Sequence, residues 1–308
     1  MSYYLEPGES FSRGIARIGA EQNGKALHAL EEHQRLRKGI HKARKHFKKL
    51  RAIFRLIRDE TGQGYYKPSN VFYRDRGREL APLRDITSLI EAVAALEDQF
   101  GDQVKEATFS NLRELLEAER ESVREELVEE GDRLEEVVED LRRARQWFVS
   151  VPVSDNCLAN TVKSLRRVYK RGYQRFQEAE EGGASPEQMH QWRKRVKYLW
   201  YHHRLLKQTW PVVYKAYAKA IKRLSDLLGD HHDFALLEKK IADLSENLSR
   251  DTCWVLRALC RQEQQRLEEK AVALGRRVYA ESPDAFARRQ RQWMKAGPFQ
   301  EKVQNPAC

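Results

Sequence analysis

Apolar residues recur every three or four positions between Glu32 and Arg58, at Leu36, Ile40, Ala43, Phe47, Leu50, Phe54 and Ile57. That spacing predicts an amphipathic helix with one buried seam. Each seam residue is followed by a basic or imidazole one: Arg37, His41, Arg44, Lys48, Arg51, Arg55 and Arg58. A step of one residue turns the helix by about 100°, so these side chains form a stripe beside the seam, not opposite it. A merely solvated face would lie opposite and mix both signs of charge. A one-signed stripe beside the seam points into the groove that the helix forms with its neighbours. Over about five turns it makes a row of cations roughly 25 Å long.

The device recurs. Met189, Trp192, Val196, Leu199 and Leu206 form a second seam, and His190, Arg193, Lys197 and Trp200 follow its first four members, with Lys194 and Arg204 flanking the row. His41, Arg44, Lys45, Lys48 and Leu50 thus match His190, Arg193, Lys194, Lys197 and Leu199 at an offset of 149 residues. A second echo, Leu80…Leu83-Arg84-Asp85 against Leu228…His231-His232-Asp233, has an offset of 148. Two ordered matches at one offset read as an internal duplication of a helical unit. Repeat one covers about 10–149 and repeat two about 154–295, with a tail at 296–308.

The remaining pattern is also helical. Ser10 can cap a first helix to about His33, and Pro82 fits the first turn of a helix ending near Gly101. Thr61–Asn70, rich in Gly, Tyr and Pro, reads as a break before a short helix at Val71–Leu80. Residues 102–149 form a long charged helical stretch, broken at Gly131. Val151–Asn156 reads as the boundary between the repeats. The next seam is Leu158, Val162, Leu165, Tyr169, Gly172 and Phe176, with Lys163, Arg166 and Lys170 one residue on and Arg167, Arg171 and Arg175 beside them. Ser185-Pro186-Glu187-Gln188 is a capping box opening the second basic helix. A helix from Pro211 to Gly229 carries Lys215, Lys219, Lys222 and Arg223, and Asp230 reads as the cap of another. Two more helices cover about 250–279 and 284–295. No segment reads as a strand, so the fold class is all-α.

Charge sharpens this picture. The 308 residues carry a net +11, but Glu114–Asp140 holds thirteen acidic and three basic residues, a net of −10. The rest of the chain therefore carries +21, a strong cation with one acidic arm. The four cysteines, Cys157, Cys253, Cys260 and Cys308, lack zinc-type spacing. The N-terminus lacks a signal-peptide pattern and no apolar run approaches membrane-spanning length, so a cytoplasmic protein without membrane contact is expected.

The repeated His-x-x-Arg-x-x-x-Lys, followed by Leu-Arg-Asp or His-His-Asp, resembles the CHAD domain, the conserved histidine α-helical domain. The residues that carry it are His41, Arg44, Lys48 and Arg84-Asp85, then His190, Arg193, Lys197 and His232-Asp233. The likeness extends from about residue 10 to 295, and the whole chain reads as one stand-alone CHAD domain. One departure is Trp200, where the family's second copy typically carries Arg. The resemblance implies two four-helix bundles related by a pseudo-twofold axis, with basic residues of both halves lining a central groove or pore. It also implies binding of inorganic polyphosphate there. Relatives often carry a triphosphate-tunnel catalytic domain with Glu-x-Glu-x-Lys. Here Glu117-Ala118-Glu119-Arg120-Glu121 fails at the lysine.

Polyphosphate has no bases to read and no ring to stack, so recognition rests on many charge-assisted hydrogen bonds along a track. The expected contacts are Arg37, His41, Arg44, Lys45, Lys48, Arg51 and Arg55 on the first basic helix. To these are added Lys163, Arg166, Arg167 and Lys170, then His190, Arg193, Lys194, Lys197 and Arg204, then Lys219 and Lys222. Arg84, Asp85, His232 and Asp233 are expected to orient them. No cofactor, metal or catalytic residue is expected, and association with polyphosphate granules is one role that would follow. Two other readings of the charge stay open. Single-stranded nucleic acid fits the basic balance, with Trp192, Trp200, Tyr198 and Tyr201 near cations. Metal-dependent phosphohydrolysis would use His231-His232-Asp233, but adjacent helical residues diverge by about 100°.

Overall fold

A computed structural model describes residues 3–31, 36–129, 132–149 and 151–297. The expected start of the first basic helix at Glu32, the break at Gly131, Cys308 and nearly all of the tail lie outside those residues. Eleven α-helices and no strands occur among the described residues. In order they are α1 (Phe11–Glu31), α2 (Leu36–Leu56), α3 (Arg58–Glu79), α4 (Ala81–Phe100), α5 (Glu106–Glu129) and α6 (Asp132–Ala144). Then come α7 (Leu158–Glu180), α8 (Pro186–Leu205), α9 (Pro211–Asp243), α10 (Arg250–Val278) and α11 (Pro283–Ala296).

The predicted seams are buried. Leu36, Ile40, Ala43, Phe47, Leu50, Phe54 and Ile57 are all in the core, as are Met189, Trp192, Val196, Leu199 and Leu206. The Ser185 hydroxyl accepts from the Gln188 amide, and the Gln188 side chain accepts from the Ser185 amide, which closes the capping box of α8. Pro82 stands in the first turn of α4.

Two expected breaks are not there. Thr61–Asn70 is helical and belongs to α3, which kinks at Gly62 (φ 71°) and runs through Pro68. Tyr66 and Tyr73 are buried on the far side of the kink, and this anchoring outweighs the local preference of Gly and Pro to end a helix. Likewise α9 does not stop at Gly229-Asp230. It continues to Asp243, because Leu224, Leu228, Phe234, Leu237 and Ile241 keep one buried seam across the junction.

The buried side chains sort into two clusters. The larger joins α1, α2, α3 and α6 with α7, α8, α11 and the first half of α9. The smaller joins α4 and α5 with the second half of α9 and α10. Helices α2 and α8 meet inside the larger core, where the fully buried His202 bonds the Ala52 carbonyl at 2.8 Å. At this contact the two basic stripes come face to face. Cys157, Cys253 and Cys260 are free thiols. No helix among the described residues is long and apolar enough to cross a membrane.

Candidate functional site

The α2–α8 contact sets the site. A seam buried between helices leaves its neighbouring stripe at the edge of the contact, so the cations of α2 and α8 converge from both sides. Helix α4 supplies Arg84 and Asp85, and α9 supplies Lys222, His232 and Asp233. Lys48 is the hub. Desolvation pushes its ammonium down to about 7, and the like charges of Arg193, Arg44, Lys197 and Arg84 add to the shift. Two of these neighbours stand on α8, one on α2 and one on α4. Lys197 is pushed down to about 8, again by desolvation and then by Arg193, with Lys222 and Lys45 contributing. Partial burial among like charges makes the ligand-free cluster unfavourable and ready to accept an anion.

Arg44 and Arg193 each stand beside a carboxylate. Arg44 donates to the Gly77 carbonyl at 2.5 Å and to Asp85 at 3.4 Å. Arg193 stands 3.9 Å from Asp233. Desolvation raises both carboxyl groups above their ordinary value, against the pull of the surrounding arginines and Lys48. The Arg193 guanidinium lies against Gly229, where an added Cβ would stand at 3.5 Å, ordinary contact distance.

The histidines mark the ends of the cluster. Desolvation, followed by Arg84, Lys45 and Lys48, holds His41 below its ordinary value. His190 is lowered to about 4 by desolvation and then by Lys194 and Arg193. Its ring packs against His232, with centroids 3.9 Å apart, and His232 is lowered to about 3. Lys48 on α2 also acts on His190 on α8, so the two helices share one field.

Trp200 explains its own departure from the family pattern. It is buried, and the ammonium of Lys197, the guanidinium of Arg204 and the ammonium of Lys222 lie 5.5, 4.9 and 5.6 Å from its ring. The ring holds three cations in place of being a fourth. Lys222 is also paired with Asp226 at 2.5 Å.

Other expected contacts lie elsewhere. Arg166 pairs with Asp284 at 2.6 Å on the α7–α11 side. Arg167 makes a two-pronged pair with Asp59 at 2.6 and 2.7 Å, and Lys163 stands 3.9 Å from the same carboxylate. Lys170 and Lys219 are exposed on α7 and α9, and Arg37 is exposed on the first turn of α2. Arg51 and Arg55 donate to the Asn70 side-chain Oδ1 at 3.3 and 3.2 Å, and Arg55 also donates to the Tyr66 hydroxyl at 2.7 Å. Those two lead away from Lys48 toward Arg58, Arg171, Arg195 and Tyr198, of which the pattern passed over Arg195. Arg195 lies two positions past Arg193, on another side of α8, so a stripe read at intervals of three and four passes over it. Among the described residues no group of three or more His, Cys, Asp or Glu side chains is arranged to hold a metal ion.

Residues 21–242 match the CHAD domain family. No curated protein sequence matches the chain. Among solved structures, PptA from Streptomyces chartreusis superposes with a TM-score of 0.62 at 14% identity, over 89% of this chain and all of that one. The CHAD domain from the plant Ricinus communis superposes with a TM-score of 0.51 at 15% identity, over 98% of this chain and 96% of that one.

Proposed function

The chain belongs to the CHAD domain family, and from that premise we propose that it binds inorganic polyphosphate, without turning it over, in a groove lined by cations of both repeats. The observation that carries this reading is the placement of cations from three helices around the exposed Lys48: Arg44 and Arg84 act on it from one side of the sequence, and Arg193 and Lys197 from the other. An anion threaded between them relieves all five at once. Rigid helices present these groups without the entropy cost of ordering a loop. Arginine bridges two oxygens and lysine acts as a point charge, which suits a polymer with two free oxygens on each internal unit.

Nucleic acid is the weaker ligand in this account. Trp192 is fully buried and Trp200 is packed among its cations, so neither offers a free face to a base. Phosphates are also spaced far more widely along single-stranded RNA than along polyphosphate. We place the protein in the cytoplasm, where polyphosphate granules are one destination. The test is competition and turnover. Labelled polyphosphate should stay bound against an equal phosphate concentration of single-stranded RNA, and chains incubated with protein and magnesium should keep their length. Displacement by RNA would favour the nucleic-acid reading, and shortened chains would make the protein an enzyme.

A further inference from the structure

Beside the α2–α8 cations lies a separate small pocket, lined by Arg55, Arg58, Arg167, Arg171, Arg195 and Tyr198. Of its arginines, Arg167 is satisfied by Asp59. Among the described residues no carboxylate lies within 4.0 Å of Arg58, Arg171 or Arg195. Desolvation lowers the Arg195 guanidinium, and Arg171 and Arg55 add to it. Burial opposes ionisation of the Tyr198 phenol, yet Arg55, Arg51 and Arg195 outweigh it and leave the group below its ordinary value. Arg55 also lies over the Tyr198 ring at 4.3 Å.

The other half of the molecule shows how such a pocket is closed when no ligand is meant to enter. Helix α1 packs on α2 as α7 packs on α8. Matching their buried positions equates Ile15 with Leu165, Ile18 with Val168 and so Arg17 with Arg167. The echo between the repeats equates Arg55 and Arg58 with Arg204 and Lys207. On that side the N-terminal segment fills the space. Glu9 takes Arg17 at 2.6 and 3.0 Å, and the Tyr4 carbonyl accepts from Arg17 at 3.1 Å. Lys207 lies 3.6 Å from the centre of the Tyr4 ring, and Arg204 lies 5.6 Å from that of Tyr3. In the pocket Asp59 takes Arg167 and the Tyr66 ring lies against Arg58 at 4.7 Å, but Arg171 and Arg195 have no carboxylate among the described residues, whereas every cation named on the other side is paired or covered.

We propose that the open pocket is a second anion site, seating one phosphoryl dianion supplied either by free orthophosphate or pyrophosphate or by the end of a phosphate chain. An internal phosphate unit has one charge and two free oxygens, and an extended row of cations suits it. A terminal phosphate has a third oxygen and a second ionisation, which converging guanidinium groups and a phenol donor match. The chain-end source rests on the polyphosphate reading above. The pocket itself does not.

Pyrophosphate is titrated calorimetrically into the full chain, into Arg171→Gln/Arg195→Gln and into Arg142→Gln/Arg143→Gln, which removes the same charge from the exposed face of α6. The pocket variant should lose roughly tenfold or more in pyrophosphate affinity, the loss expected from two charge-assisted bonds. The α6 variant should keep its affinity within about threefold, a small change beside that tenfold loss. Unchanged affinity in the pocket variant, or no pyrophosphate binding to the wild type, overturns the proposal. Removing like charges should leave the ligand-free melting temperature unchanged or raise it. Should the double variant melt early, Arg171→Gln alone, on the exposed rim, carries the same expectation. A second arm compares polyphosphate with chains whose ends are esterified. A wild-type preference for free ends that vanishes in the pocket variant identifies the chain end as the source. Equal affinity for both, with pyrophosphate binding intact, identifies the free ion. Failure of every polyphosphate to bind would sink the function proposed above and leave the pyrophosphate test standing.

Discussion

Polyphosphate binding at pH 8 should draw protons from solution. In the free protein Lys48 is lowered to about 7 and Lys197 to about 8. At pH 8 they hold about 0.1 and 0.5 of a proton, whereas a lysine at its ordinary value near 10.4 is fully charged. A polyanion lying against both restores the ordinary value, an uptake of about 1.4 protons. Lys48 keeps a water-facing side, so about 1 to 1.5 is the working range. The sign follows from the bound state holding more protons. Affinity falls as pH rises through the range 7–9, and the lysine share vanishes near pH 6, where both are already charged. The assay is calorimetry in two buffers of different ionisation enthalpy, with long chains so that titrating end groups are few. Lys48→Arg is the internal control. Its guanidinium is charged throughout, so uptake at pH 8 should drop by about 0.9 while binding persists. Zero uptake or proton release at pH 8 in the wild type would refute the reasoning.

Three further outcomes follow from the geometry. Gly229→Ala should bind polyphosphate normally and gain up to about 1 kcal/mol in urea unfolding, because its Cβ meets Arg193 at ordinary contact distance, while Gly229→Leu should displace Arg193 and weaken binding in the same titration. Gly39→Ala should lower stability by roughly 1–3 kcal/mol or more, since its Cβ would run into the Ala29 backbone carbonyl and force α1 from α2; thermal melting reads this directly. Ser185→Ala should cost about 1 kcal/mol through loss of the α8 cap, seen as a lower melting temperature with affinity at saturating protein unchanged.

The legible parts of this fold were those governed by period and by local chemistry. The seams of α2 and α8 are read from spacing alone, and the Ser185 cap from four residues, because each rule acts within one or two turns. Gly62, Pro68 and Gly229 misled for the same reason. Their local signal is to end a helix, and what keeps α3 and α9 running is burial of Tyr66, Tyr73, Phe234 and Leu237 against distant elements. The central cations Arg44, Lys48, Arg193 and Lys197 were visible as a stripe. The basic residues of α7 were visible too, but their partners Asp59 and Asp284 were not, and these pairs draw Arg166 and Arg167 away from Lys48. Arg195 and Tyr198 lie off the stripe, so only the packing of α8 against α7 reveals them.

Binding stoichiometry with a polyphosphate just long enough to span the α2–α8 cations tests the shared site most directly. It is measured for the wild type, Arg44→Ala and Arg193→Ala at two salt concentrations. One chain per protein is expected, with either single variant weakening that one event and lowering its salt slope by about one. Two chains per protein, with each variant abolishing one and sparing the other, would mean that the two halves bind separately.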